Sequence, residues 1–135
     1  MAKKDLILCD TNILIELLKN NSLIIDKLKS IGEDRISVSM VTAGELIFGA
    51  LNKSELVKIN KLIELTHVLP VNETISSISL DLLKKYTLSH HLSLPDSLLA
   101  ATAIFYEIQL FTLNIKDFKY IDGVTLLDQS SLYNT

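Results

Sequence analysis

A chain of 135 residues, 48% of them hydrophobic, has apolar material for one substantial core, and residues 1–135 are read as a single domain. Its net charge of −3, with sixteen acids against thirteen basic residues of which only Arg35 is arginine, excludes a broad basic surface for tight, sequence-independent nucleic-acid binding. The single cysteine, Cys9, excludes an intramolecular disulfide, and no apolar run approaches the roughly 20 residues of a membrane-spanning helix, so a cytoplasmic protein without a membrane partner is expected.

The first apolar run, 6–9, follows Lys3 and Lys4 but is too short for the roughly 7–15 residues of a signal-peptide core. It is predicted as a strand, with Asp10 directly after it. Helical periodicity then covers 12–19 and 23–31. A strand at 36–38 leads into a helix over 41–51, which carries Glu45 about one turn in. A helix at 55–66, a strand at 68–69 and a helix at 74–86 follow. Asp96, after Pro95, opens an apolar helix at 96–107. Asp117 lies one short loop beyond the strand at 110–113, and a strand at 124–127 completes the series.

Strands alternating with helices are the pattern of an α/β domain, because parallel strands need crossover connections that helices supply. The strands are apolar at consecutive positions, as expected where both faces are covered. The predicted fold is a three-layer α/β/α sandwich with a mainly parallel central sheet. In such sheets ligands bind beyond the carboxyl ends of the strands. Asp10, Glu45 and Asp117 all leave that edge, and Asp96 joins them if its helix starts there.

Each acid also has an ordinary structural explanation. Asp10 with Thr11 and Asn12 reads as a helix cap. Thr42-Ala43-Gly44-Glu45 fits a capping box, Asp96 suits a helix N-terminus, and Asn114-Ile115-Lys116-Asp117 fits a polar turn. Four such coincidences at one sheet edge are much less frequent than any one of them. Carboxylates gathered within about 5 Å would repel by roughly 3 kcal/mol per pair at an effective dielectric near 20, so the cluster needs protons or a cation. An all-oxygen site open to water suits Mg²⁺ or Mn²⁺, whereas zinc would call for Cys or His at ligand spacing. A divalent ion there fits hydrolysis of an RNA or DNA phosphodiester.

Other polar residues carry weaker signals. His90 and His91 precede Asp96 and read first as a solvated pair, with contact to substrate as the alternative. Lys116 and Lys119 flank Asp117 as candidate phosphate contacts. A receiver-like phospho-acceptor domain has similar size and layering, but the strand at 68–69 runs into Pro70-Val71-Asn72 with no acceptor acid.

Four segments taken together carry a family resemblance. They are Cys9-Asp10-Thr11-Asn12-Ile13-Leu14, Thr42-Ala43-Gly44-Glu45-Leu46 with Gly49, Leu94-Pro95-Asp96-Ser97-Leu98-Leu99-Ala100-Ala101-Thr102-Ala103, and Thr112-Leu113-Asn114-Ile115-Lys116-Asp117-Phe118. In order and spacing they resemble the PIN-domain family, and within it the VapC-type toxins. The resemblance implies a PIN-like fold, Mg²⁺- or Mn²⁺-dependent endoribonuclease activity and a homodimer. It also implies a cognate antitoxin whose tail occupies the cleft. It makes Asp10, Glu45, Asp96 and Asp117 the acidic, metal-binding and catalytic site, with Thr11 and Asn114 as accompanying polar positions that orient the carboxylates or metal-bound water. Two departures stand out: Glu107-Ile108-Gln109 where relatives often carry a glycine turn, and the scarcity of arginine for phosphate contacts. A catalytically silent PIN-like module that only binds protein or RNA is the competing reading, although all four acids are present.

Overall fold

The structure, a computed structural model, describes residues 5–129. Its strands are β1 (Ile7–Cys9), β2 (Ile36–Ser39), β3 (His67–Leu69), β4 (Gln109–Phe111) and β5 (Thr125–Leu126). They form one sheet in the order β3-β2-β1-β4-β5, and every neighbouring pair is parallel. The helices are α1 (Thr11–Leu18), α2 (Ser22–Ile31), α3 (Met40–Phe48), α4 (Lys53–Glu64), α5 (Glu73–His90) and α6 (Leu94–Tyr106).

Strand alternation divides the apolar residues between two cores. Leu6, Leu8, Leu69 and Leu110 pack with Ile75 and Leu82 of α5 and with Leu99 and Ala100 of α6. Ile7, Cys9, Val38 and Phe111 pack on the opposite face with Ile13, Leu14, Ile24, Leu28, Leu46 and Ile59 of α1 to α4. This is the predicted α/β/α sandwich, and it explains why β1 is apolar at every position. Each fully buried side chain of this size, such as Leu8 or Phe111, contributes about 1.5–3 kcal/mol through burial. Cys9 lies wholly inside, and burial, then the neighbouring Asp10, pushes its thiol up to about 12, where it is an inert packing group. Among the described residues no helix is long and apolar enough to cross a membrane.

Several element boundaries differ from the sequence expectation, each for a local reason. Helix α3 ends at Phe48 rather than 51, because Asn52 starts a new helix by accepting the Glu55 N–H at 2.9 Å. Helix α5 runs to His90, past the predicted end at 86, and stops where His91 adopts a left-handed conformation (φ 54°). Helix α6 starts at Leu94, because Ser93 Oγ accepts the Asp96 N–H at 3.3 Å. Asp96 is therefore the third helical residue rather than the first. Glu107 holds the left-handed cap of α6 (φ 56°), a conformation that favours glycine.

From β1 the chain moves outward through β2 to β3, then returns across the sheet to β4 on the other side of β1. The order reverses between β1 and β4, so their carboxyl ends frame the crevice expected to take a ligand.

Candidate active site

The crevice is built around Asp10. The Asp10 N–H donates to the Phe111 carbonyl at 2.9 Å, which extends the β1–β4 pairing to the crevice edge. Asp10 is also the N-cap of α1: its Oδ1 accepts the Thr11 N–H at 2.7 Å. The capping interpretation is therefore right, but it occupies only one oxygen. Oδ2 accepts from Thr112 Oγ1 at 2.7 Å and from Asn12 Nδ2 at 3.3 Å. These donors favour the ionised carboxylate, yet burial outweighs them and, with Glu45 and Asp117 adding repulsion, the Asp10 pKa is raised. Only 8% of the residue is exposed.

Glu45 reaches the same edge from α3. The capping box proposed for Thr42–Glu45 does not form, because α3 begins three residues earlier than a Thr42 cap would require. Ser39 is its cap, with Oγ accepting the Thr42 N–H at 3.0 Å, and Thr42 is buried in the first turn. Glu45 is thereby left exposed on the cleft side, where Thr11 Oγ1 donates to its Oε1 at 2.9 Å. The predicted orienting role of Thr11 has this contact behind it.

Asp96 arrives on the first turn of α6, where the helix N-terminus favours a carboxylate. Burial nevertheless pushes its pKa up to about 6, helped by the negative charges of Asp10, Asp117 and Glu45 and opposed by a hydrogen bond from Ser93. Asp117 ends a 3₁₀ turn, Ile115–Asp117, whose first bond runs from the Asp117 N–H to the Asn114 carbonyl at 3.0 Å. Asn114 acts through its backbone, since its N–H also donates to Thr112 Oγ1 at 3.0 Å.

The four acids therefore share one electrostatic neighbourhood. Neither ion pair among the described residues, Lys19–Glu16 at 3.6 Å and Lys85–Asp122 at 3.2 Å, neutralises any of them. Among those residues no group of three or more Asp, Glu, His or Cys side chains stands at metal-ligating spacing. The charges of Glu45 and Asp117 lie near enough to raise the carboxyls of both Asp10 and Asp96. The donor set is all oxygen and short of positive charge, the chemistry that suits a hard divalent cation.

Three supporting residues were not expected at the site from the sequence, where Asn12 was read only as part of a helix cap: Thr112, Asn12 and Ser93. Thr112 is fully buried, and its hydroxyl is saturated: it donates to Asp10 and accepts from Asn114 N–H and, at 3.4 Å, from Asn12 Nδ2. Asn12 Oδ1 accepts the Leu113 N–H at 3.2 Å, tying α1 to the exit of β4. Register gives the missing signal for Thr112, because Cys9 pairs with Phe111 and so places Asp10 opposite Thr112. Thr112→Val is expected to destabilise the protein by about 1–3 kcal/mol, because two donors and a carboxylate lose a buried partner. Urea unfolding midpoints measure it, and a loss below about 0.5 kcal/mol would show that this hydroxyl holds nothing in place.

Beside the acids a groove of about 400 Å³ runs from Thr11 and Glu45 along Ile15, Leu18, Leu46 and Ile59. It adjoins the crevice but contains neither Asp10 nor Asp96. Comparison with known proteins matches residues 7–124 to the PIN domain family model. The chain is 34% identical over 115 residues to Ribonuclease VapC10 of Mycobacterium tuberculosis, covering 84% of this chain and 86% of that protein. Among solved structures it is similar to VapBC-1 from nontypeable Haemophilus influenzae, with 30% identity, a TM-score of 0.76 and coverage of 91% and 97% of the two chains. It is also similar to a toxin-antitoxin complex from Klebsiella pneumoniae, with 28% identity, a TM-score of 0.74 and coverage of 87% and 94%.

Proposed function

The chain belongs to the PIN domain family, and from that premise we propose that it is a divalent-metal-dependent endoribonuclease, the toxin of a type II toxin–antitoxin pair. The observation that carries this reading is the gathering of four acids at the β1–β4 crevice, where burial and the charges of Glu45 and Asp117 raise the carboxyls of Asp10 and Asp96. Its support from comparison is the ribonuclease name of the Mycobacterium tuberculosis relative and the toxin–antitoxin assemblies among similar structures.

Asp10, Glu45, Asp96 and Asp117 would hold Mg²⁺ or Mn²⁺. When bound, such an ion polarises a phosphodiester, activates water and offsets the charge that develops during in-line displacement. Asp10 is the fixed member, held by three donors. Glu45 is the adjustable member, exposed and steered by Thr11. Asp96 and Asp117 would complete the set, with Asn114 setting the turn that carries Asp117. The 1–135 chain acts as one nuclease domain in the cytoplasm.

Partners follow from the surface. The groove that begins at Thr11 and Glu45 suits an antitoxin segment that reaches the acids and blocks them. Phe48 is 93% exposed and Leu88 95%, and apolar side chains left so open suit protein contacts, those of a homodimer included. The test is incubation of the purified chain with structured RNAs in Mg²⁺ or Mn²⁺ and in EDTA. Internal cleavage is expected with either metal and none with EDTA. Undiminished cleavage in EDTA would overturn the metal-dependent reading, and no cleavage in any metal would overturn the nuclease reading.

A further inference from the structure

Tyr120, three residues past Asp117, belongs to an aromatic cluster with Tyr86 and His90. His90 and Tyr120 lie face to face, with ring centroids 3.9 Å apart and planes 8° from parallel. Tyr86, one turn before His90 on α5, presents its edge to both, at 5.1 Å to Tyr120 and 5.9 Å to His90. Tyr86 is buried, its hydroxyl accepts the Asp122 N–H at 3.3 Å, and Lys85, paired with Asp122, sits 5.2 Å from its ring centre. Ser89 Oγ stands 2.7 Å from His90 Nδ1. The outer two rings are thus held in place from below, while His90 itself is exposed and Tyr120 partly so. Tyr120 also lies near the acids: burial first, then the charges of Asp96 and Asp117, and then Tyr86, push its phenol up.

We propose that the His90–Tyr120 stack is a platform for a nucleobase of single-stranded RNA beside the scissile phosphate, and that it helps decide where the strand is cut. The proposal rests on the ribonuclease reading above. An acidic crevice repels the backbone of its substrate, and a bound ion compensates at one phosphate only. Arginine does not serve the flanking nucleotides here. Arg35 is the only one, and it is committed to the carbonyls of Asp5 at 2.7 Å and Ile31 at 3.2 Å, beside the amino ends of β1 and β2. Stacking needs no charge and accepts any base, because every base has a π face. If the three rings served packing alone, His90 would be covered. Instead a rigid ring, already stacked on its inner side, is exposed at the rim of the site.

The experiment uses the full chain and its His90→Ala and His90→Phe variants. Fluorescein-labelled single-stranded RNAs of about 12 nucleotides serve for anisotropy in Ca²⁺ and for cleavage in Mg²⁺. His90→Ala is expected to weaken RNA binding and raise KM by about 5- to 100-fold, with kcat within about threefold of the parent. His90→Phe is expected to restore both, because it keeps an aromatic face without the imidazole. An abasic residue walked along the RNA is expected to reproduce the loss at one position, and there His90→Ala loses nothing more. Unchanged binding in His90→Ala, failure of His90→Phe to rescue, or an equal penalty at every abasic position overturns the platform. Binding lost and rescued in this pattern by a chain that cleaves nothing upholds base stacking on His90, and overturns both the ribonuclease reading and the platform's part in choosing the cut.

Discussion

Asp96→Asn is expected to lower RNA cleavage at saturating Mg²⁺ by at least about 100-fold, because even groups that only support a metal ligand are each worth roughly 10- to 100-fold. The substitution keeps size and shape and removes one negative charge from a site with no cation paired to it. Asp96 is the better probe than Asp10. Three donors converge on the Asp10 carboxylate, and an amide there presents one accepting oxygen, so Asp10→Asn leaves a buried donor unpaired and confounds activity with folding. At position 96 the competing effects are smaller. The variant gives up a carboxylate at a helix N-terminus, worth about 0.3–1 kcal/mol, and gains relief from the burial and repulsion that hold the carboxyl near 6. Its unfolding midpoint is therefore expected at or above the parent's. Parent-like cleavage by a folded Asp96→Asn protein would remove Asp96 from the proposed site.

Asp10 and Asp117 were legible because each follows an apolar strand, and a parallel α/β sheet sends such positions to one edge. Glu45 was legible by the same reasoning, although its competing capping explanation failed only when Ser39 proved to be the cap. Strand order was not legible. Nothing local in the chain says that β4 returns to pair with β1, and for that reason Thr112, one residue past the strand register, went unnoticed beside Asp10. Helix ends were misplaced for a related reason: caps such as Ser93 depend on side chains a turn away, and periodicity does not register them. The aromatic stack was hidden more deeply. His90 and Tyr120 are thirty residues apart, and His90 falls beyond the predicted end of its helix. Glu107, in contrast, marks a place where the chain tolerates a strained conformation that glycine would relieve.

Millimolar Mg²⁺ or Mn²⁺ is expected to stabilise the parent, and the dependence on pH separates specific binding from general ionic effects. An ion that binds only the folded state adds about 2.7 kcal/mol at a hundred times its dissociation constant. For a domain of this size that corresponds to roughly 10 °C in Tm. The sign follows from Asp96. Its folded-state pKa of about 6 lies above its ordinary value of 3.8, so in the metal-free protein its contribution to stability is complete below 3.8 and is lost as pH rises through about 6. Asp10 shifts in the same direction. Ligation needs the ionised forms, so the metal adds most where the free protein has lost most. The metal-induced rise in Tm is expected to be large at pH 7.5, to shrink across pH 6 and to be small at pH 4.5. In Asp96→Asn the rise at pH 7.5 is expected to be greatly reduced, because one ligand and one source of repulsion disappear together. Differential scanning calorimetry of both proteins, with and without metal at matched ionic strength, measures this. Equal metal-induced shifts in parent and variant, or a shift in the parent that does not depend on pH, would mean that the four carboxylates do not share an ion.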